Sequence, residues 1–290
     1  MGREKYMGLM QSIALPAWTE KFKAITAKCR HCKRSVALPH YSARKAGIKM
    51  QDSWYCSSRC FAAAAEEEFT ALATYKPHQK NQFSRMPLGL LMVRYGLLNN
   101  EQFKQARDEQ KQAGTEIGEL VVRYGSVSEK QVTAVRALQW GCPVFTVPEW
   151  GMPTEIHLPP ALVRLHSAIP LHHVATTNML LVGFVHGVDY GLLYAIEKIT
   201  GCKTQPCFVT PGDFEIQLKQ IEQAKAQTGD EAPSEVKFES AQSSSEMARV
   251  LCSYGVHLEA DEAAIARCRE YLWARLKCGP KEVDILFKAE

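Results

Sequence analysis

Apolar positions recur in one pattern twice near the middle of the chain. Residues 88–98 read LGLLMVRYGLL and residues 117–127 read IGELVVRYGSV, 29 positions apart, with both glycines and most apolar positions in register. In each copy apolar residues fall at three- and four-residue intervals up to an Arg-Tyr-Gly, and an apolar pair or near-pair follows. A polar cap comes next, Asn99 or Asn100 in the first copy and Ser128 in the second. Glu101 and Glu129 then open an amphipathic segment that ends at Gln110 or Gln139, with Gly114 or Gly141 just beyond. The pattern predicts a short helix, a glycine turn and a longer capped helix in each copy. One copy cannot cover its own apolar face, so the two are expected to pack together.

The periodicity changes after the repeat. Residues 142–148 (CPVFTVP) read as a short strand, and the prolines at 159 and 160 introduce a helix of about two turns. Two β-rich runs around Thr177 and Asn178 read as a hairpin; Asp189 to Gly201 reads as a helix with an acidic start and a glycine stop. A strand from Thr204 and a helix from Pro211 complete a ββαβα order, which predicts a small α/β sandwich. Residues 226–246 turn to Gln, Thr, Gly, Asp, Pro and Ser and predict a flexible linker. The tail, 247–290, reads as helices followed by a hairpin turning at Cys278, Gly279 and Pro280. The expected class is α+β and multidomain: a basic region with a metal module (1–80), the tandem helical repeat (85–141), the α/β subdomain (142–225), the linker (226–246) and the tail (247–290).

Charge singles out the first segment. Residues 1–86 hold 15 Lys and Arg against 6 Asp and Glu, a net of +9, and the remaining residues carry a net of −5. Ten cysteines accompany no sustained apolar leader, and no apolar run is long enough to cross a bilayer, so a cytoplasmic, reducing setting with metal binding is expected. Cys29 and Cys32 form one pair and Cys56 and Cys60 another, the thiolate count of a closed tetrahedral zinc (Zn2+) site. The second pair opens WYCSSRCFAAAAEEEF (54–69), a strong helix former after a strand-like start, so Cys60 falls one turn beyond Cys56. A knuckle followed by a helix start resembles a treble-clef zinc finger. His31 lies inside the knuckle as a spectator. With few large apolar residues in the head, zinc is expected to contribute to its folding. Lys33, Arg34, Arg44, Lys45 and Lys49, with no acid before Asp52, form a stretch suited to nucleic-acid phosphates.

Two 24-residue blocks, 87–110 and 116–139, separated by residues 111–115, resemble the tandem motif of MshEN-type domains in the N-terminal region of type II secretion and type IV pilus assembly ATPases. The matching positions are Leu88, Gly89, Met92, Val93, Gly96, Leu97, Leu98, Phe103 and Gln110, then Ile117, Gly118, Val121, Val122, Gly125, Val127, Val132 and Gln139. The resemblance extends through residue 225. It implies a docking role in secretion or pilus machinery, and in that family the tandem motif can bind cyclic di-GMP. Carried over, the nucleotide contacts fall on Leu88, Gly89, Gly96, Leu97 and Gln110, and on Ile117, Gly118, Gly125, Val127 and Gln139. The family's leading arginine is Pro87 in one block and Glu116 in the other, with Arg85 two residues early. Arg107 and Arg136 stand where the family prefers leucine.

No G-x-x-x-x-G-K-[ST] loop occurs in the 290 residues; no glycine is followed by lysine. His172, His173 and His186 lack a neighbouring acid cluster in sequence, and Cys202 and Cys207 have poor ligand spacing; neither group is assigned a site. The expected function is a non-enzymatic adaptor that docks secretion, pilus or signalling proteins, the alternatives being a cyclic di-GMP receptor and a nucleic-acid-binding regulator.

Overall fold

The computed structural model describes residues 25–38, 47–74, 85–151, 156–228 and 234–288. The repeat folds as its pattern predicts. Helices α2 (Leu88–Arg94) and α3 (Asn100–Ala113) form the first copy; α4 (Ile117–Arg123) and α5 (Glu129–Trp140) form the second. Both longer helices start in a full capping box, Asn99 with Gln102 and Ser128 with Gln131. Gly96 and Gly125 stand at φ +70° and +68°, the left-handed region a side chain resists, and there the chain turns between helices. Met92, Leu98, Ala106, Leu120, Val121 and Val135 close a core of their own.

The next unit has strands β5 (Ala168–Val174), β6 (Met179–Phe184) and β7 (Lys203–Phe208), ordered β5-β6-β7, with β5/β6 antiparallel and β6/β7 parallel. Helices α6 (Pro160–His166), α7 (Tyr190–Thr200) and α8 (Pro211–Thr228) accompany them, which matches the expected ββαβα order. The expected strand at 142–148 reduces to a single bridge, Val144 to Phe208.

The largest correction concerns head and tail. A six-stranded sheet runs β4-β3-β9-β10-β11-β8, where β3 (Ile48–Met50) and β4 (Ser53–Tyr55) come from the head, β9 (Glu262–Cys268), β10 (Tyr271–Cys278) and β11 (Lys281–Lys288) from the tail, and β8 (Ser234–Glu239) from the expected linker. Lys49 and Met50 pair in parallel with Glu262 and Ala263. Helix α1 (Ser58–Thr74) lies beside α9 (Ser244–His257) over one face, where Phe61, Ala65 and Phe69 share a core with Leu251, Ile265, Leu272 and Phe287. Phe69 meets Phe287 edge to face at 5.4 Å. Two three-residue strands cannot bury a face alone, so the head borrows its core from the tail rather than relying on metal alone. The opposite face of the sheet, Ala266, Cys268, Trp273 and Leu286, packs on the α/β unit. The expected linker is likewise shorter than 226–246. Helix α8 continues to Thr228, β8 (Ser234–Glu239) pairs in parallel with β11, and α9 has begun by Ser244. The Glu-Val-Lys-Phe-Glu alternation inside a polar composition is the strand signal. The tail also holds a strand, β9, where the sequence suggested only helices ahead of the hairpin.

Candidate metal centre and repeat interface

Strands β1 (Ile25–Lys28) and β2 (Ser35–Leu38) pair antiparallel, and the turn between them carries Cys29 and Cys32. The Cys29 amide donates to the Arg34 carbonyl at 2.9 Å, the Lys33 amide to the Cys29 carbonyl at 3.0 Å, and Lys33 takes φ 59° to close the knuckle. The Arg30 amide donates to Trp54 O at 3.0 Å and ties the knuckle to β4. Cys56 follows β4. Ser57 Oγ accepts from the Cys60 amide at 3.3 Å, which caps α1 and points Cys60 back from its first turn.

All four sulfurs lie within 4.8 Å of one another; Cys32 to Cys56 is 3.5 Å and Cys56 to Cys60 is 3.9 Å. Zinc–sulfur bonds of about 2.3 Å at tetrahedral angles place sulfurs roughly 3.8 Å apart, so the donor set fits such an ion. Burial pushes the Cys29 thiol up, but the amides of Cys56, Cys32 and His31 and the Cys32 thiol outweigh it and bring it to about 6. Hydrogen bonding with Cys32, then burial and the other two cysteines, pushes Cys56 up to about 12. Cys29 thus yields its proton readily, whereas Cys56 holds one that a metal would displace. His31 is exposed and stands outside the cluster. Lys33 and Arg34 are also exposed, and Lys49 pairs with Glu262 at 3.4 Å; Arg44 and Lys45 lie outside the described residues.

At the repeat, the positions matched to nucleotide contact are drawn into packing. A Cβ on Gly89 would come within 2.5 Å of the Phe103 ring, and one on Gly118 within 2.9 Å of Arg136 Nη2, so these glycines let short helices approach long ones. Leu88, Ile117 and Val127 are buried; Leu97 and Gln110 are half-buried. Gln139 Nε2 donates to Met86 O at 2.7 Å, and Arg85 lies over the Trp140 ring at 3.6 Å.

The second copy meets the α/β unit through one charged cluster. Arg136, 3% exposed, donates to Val185 O and to Glu116 Oε1, each at 2.5 Å. The other Glu116 oxygen is 2.6 Å from His186 Nδ1. Burial pushes the Glu116 carboxyl up, but His186 and Arg136 prevail and hold it below the usual range. Glu116 therefore spends its charge inside the protein. With Glu119 it also gives His186 the acid neighbours that sequence proximity did not reveal, since residues 116 and 186 are 70 positions apart.

No protein-family model matches the chain. It is 29% identical over 87 residues to the type IV pilus assembly ATPase PilB of Myxococcus xanthus, covering 29% of this chain and 15% of that protein. To PilB of Thermus thermophilus it is 24% identical over 129 residues, 44% of this chain and 14% of the relative. The chain thus spans a small fraction of these relatives' length. Among solved structures, that of MshE with cdg gives a TM-score of 0.38 at 20% identity over 49% of this chain and all of the other. The N-terminal domain of XpsE gives 0.37 at 16% identity over 46% of this chain and 92% of the other. The 290 residues therefore carry a region similar to part of the type IV pilus assembly ATPases, and they hold no P-loop motif.

Proposed function

We propose that this chain is a non-enzymatic docking module of a secretion, pilus or related signalling system, assembled on a motor-free relative of the assembly-ATPase N-terminal region. The observation that carries the reading is similarity to pilus assembly ATPases in 290 residues that hold no P-loop. Exposed Met86, Leu90, Tyr95, Tyr124 and Leu138 on the repeat supply apolar contact area for a protein partner. Full-length protein immobilised against purified pilus and secretion assembly components captures one of them, and Tyr95→Ala with Tyr124→Ala weakens capture. No capture from the complete set overturns the reading; ATP hydrolysis by the pure chain would replace it with an enzymatic one.

Cyclic di-GMP is expected not to bind at micromolar concentration. Pro87 offers no donor, Glu116 is committed to Arg136 and His186, and Arg85 is stacked on Trp140. Calorimetric titration tests this, and tight binding would make the chain a nucleotide receptor. A nucleic-acid role draws on exposed Lys33 and Arg34. Salt-dependent binding of duplex DNA or RNA, lost in Lys33→Ala with Arg34→Ala, is its test.

Cys29, Cys32, Cys56 and Cys60 would hold one structural zinc, which fixes knuckle to helix. Elemental analysis is expected to return about one zinc per chain at this centre. Cys→Ser at any of the four, or a chelator, loosens the head while the repeat core stays folded. A well-folded, metal-free head would refute the assignment.

A further inference from the structure

A second metal-competent cluster lies between the repeat and the α/β unit. Oxygens of Glu116 and Glu119 and a ring nitrogen of His186 fall within 4.8 Å of one another. Glu119 and His186 line a cavity of about 420 Å³ whose walls also include Arg136, Val185 and Phe214. The carboxylates come from the start of α4 and the imidazole from the loop after β6, so the cluster exists only when the two units are docked.

Two properties of the place favour a cation. Glu129 and Glu215 join Glu119 at the wall, while both arginines there already face carboxylates, Arg136 at Glu116 and Arg123 at Glu109 (3.6 Å). Arg136 takes only Oε1 of Glu116 and is itself anchored on Val185 O, so it aims Oε2 at His186 in the way an outer-shell partner orients a ligand.

We propose that Glu116, Glu119 and His186 bind one divalent transition-metal ion at this junction. One imidazole and two carboxylates suit Mn2+, Co2+ or Zn2+, whereas the four-thiolate centre selects softer ions. In the metal-bound form the His186 ring is the neutral Nε2–H tautomer, so the Nδ1 lone pair and Glu116 Oε2 both face the ion in place of the hydrogen bond between them. Three protein ligands leave coordination positions facing the cavity for water or a small anionic group. Bridging two units, the ion also stiffens their junction.

The test is Mn2+ titration of the full chain, with its cysteine centre zinc-loaded, followed by loss of the free-ion electron paramagnetic resonance signal. Manganese avoids thiolates, so this reads the carboxylate–imidazole site alone. Wild type is expected to take up one Mn2+ and to melt at higher temperature with it. Glu119→Gln, at an exposed position, keeps the metal-free melting profile, and both Glu119→Gln and His186→Ala lose at least about tenfold in affinity. No uptake by wild type up to millimolar Mn2+, or equal uptake by both variants, overturns the site.

Discussion

The two copies of the repeat are nearly the same text placed in different company. Residue for residue, Arg107 in α3 corresponds to Arg136 in α5; the first is exposed and the second is buried against Glu116 and Val185. Pro87 corresponds to Glu116, Leu90 to Glu119 and Lys104 to Thr133. Every one of these exchanges puts a polar group where the second copy faces the α/β unit, or an apolar or charged one where the first copy faces solvent. The capping boxes, the Arg-Tyr-Gly turns and the close-approach glycines are kept in both. Local folding thus constrains one set of positions, and docking constrains another.

The comparison breaks most visibly at the paired arginines. Arg136→Ala removes one partner of a buried pair and is expected to cost about 3 kcal/mol, less than a fully enclosed pair because Glu116 keeps His186 and some solvent. Arg107→Ala is expected to stay within about 0.5 kcal/mol. Urea denaturation of the two variants checks this, and equal effects would mean that the second copy is not docked as described.

The glycines come next. Gly89→Ala drives a methyl into the Phe103 ring and Ile117, and belongs at the upper end of the roughly 1–3 kcal/mol range for overpacking. Gly118→Ala meets Arg136 Nη2 at 2.9 Å and Val132 at 3.0 Å, a looser approach than at Gly89, and belongs nearer the lower end. Thermal melts that rank them in reverse would relocate the tighter helix crossing.

The caps sharpen the comparison from the other side, because here the copies should agree. Asn99→Ala and Ser128→Ala each remove an oxygen that accepts an N3 amide, and each is expected to cost about 1 kcal/mol. A large inequality would show that one capping box carries tertiary weight.

The smallest effect is a pH dependence that only the second copy has. The folded-state pKa of Glu116 is lowered, so its contribution is complete above the unfolded carboxylate value of about 4.3 and is lost as pH falls through the lower folded value. Denaturation midpoints from pH 6 to 3 should therefore show wild type converging on Glu116→Gln at the acid end. Parallel curves would place Glu116 outside any folded-state interaction.

Short-range chemistry was legible in the sequence. Capped helix starts at Asn99 and Ser128, glycine turns at Gly96 and Gly125, and the ββαβα order all follow from propensities that act within a few residues. The two cysteine pairs were legible because a knuckle and a helix start each present two sulfurs from one short segment. Two pairings required the folded chain. Strand β3 joins β9 across more than 200 residues, and nothing in three residues of Ile-Lys-Met specifies that edge. The expected linker hid β8 because its alternation gains meaning only against β11. His186 looked like an ordinary strand-end histidine until docking set Glu116 and Glu119 beside it. Local hydrogen bonds and backbone preferences are encoded where they act, whereas sheet neighbours and charge partners are chosen by which apolar faces have to be buried together.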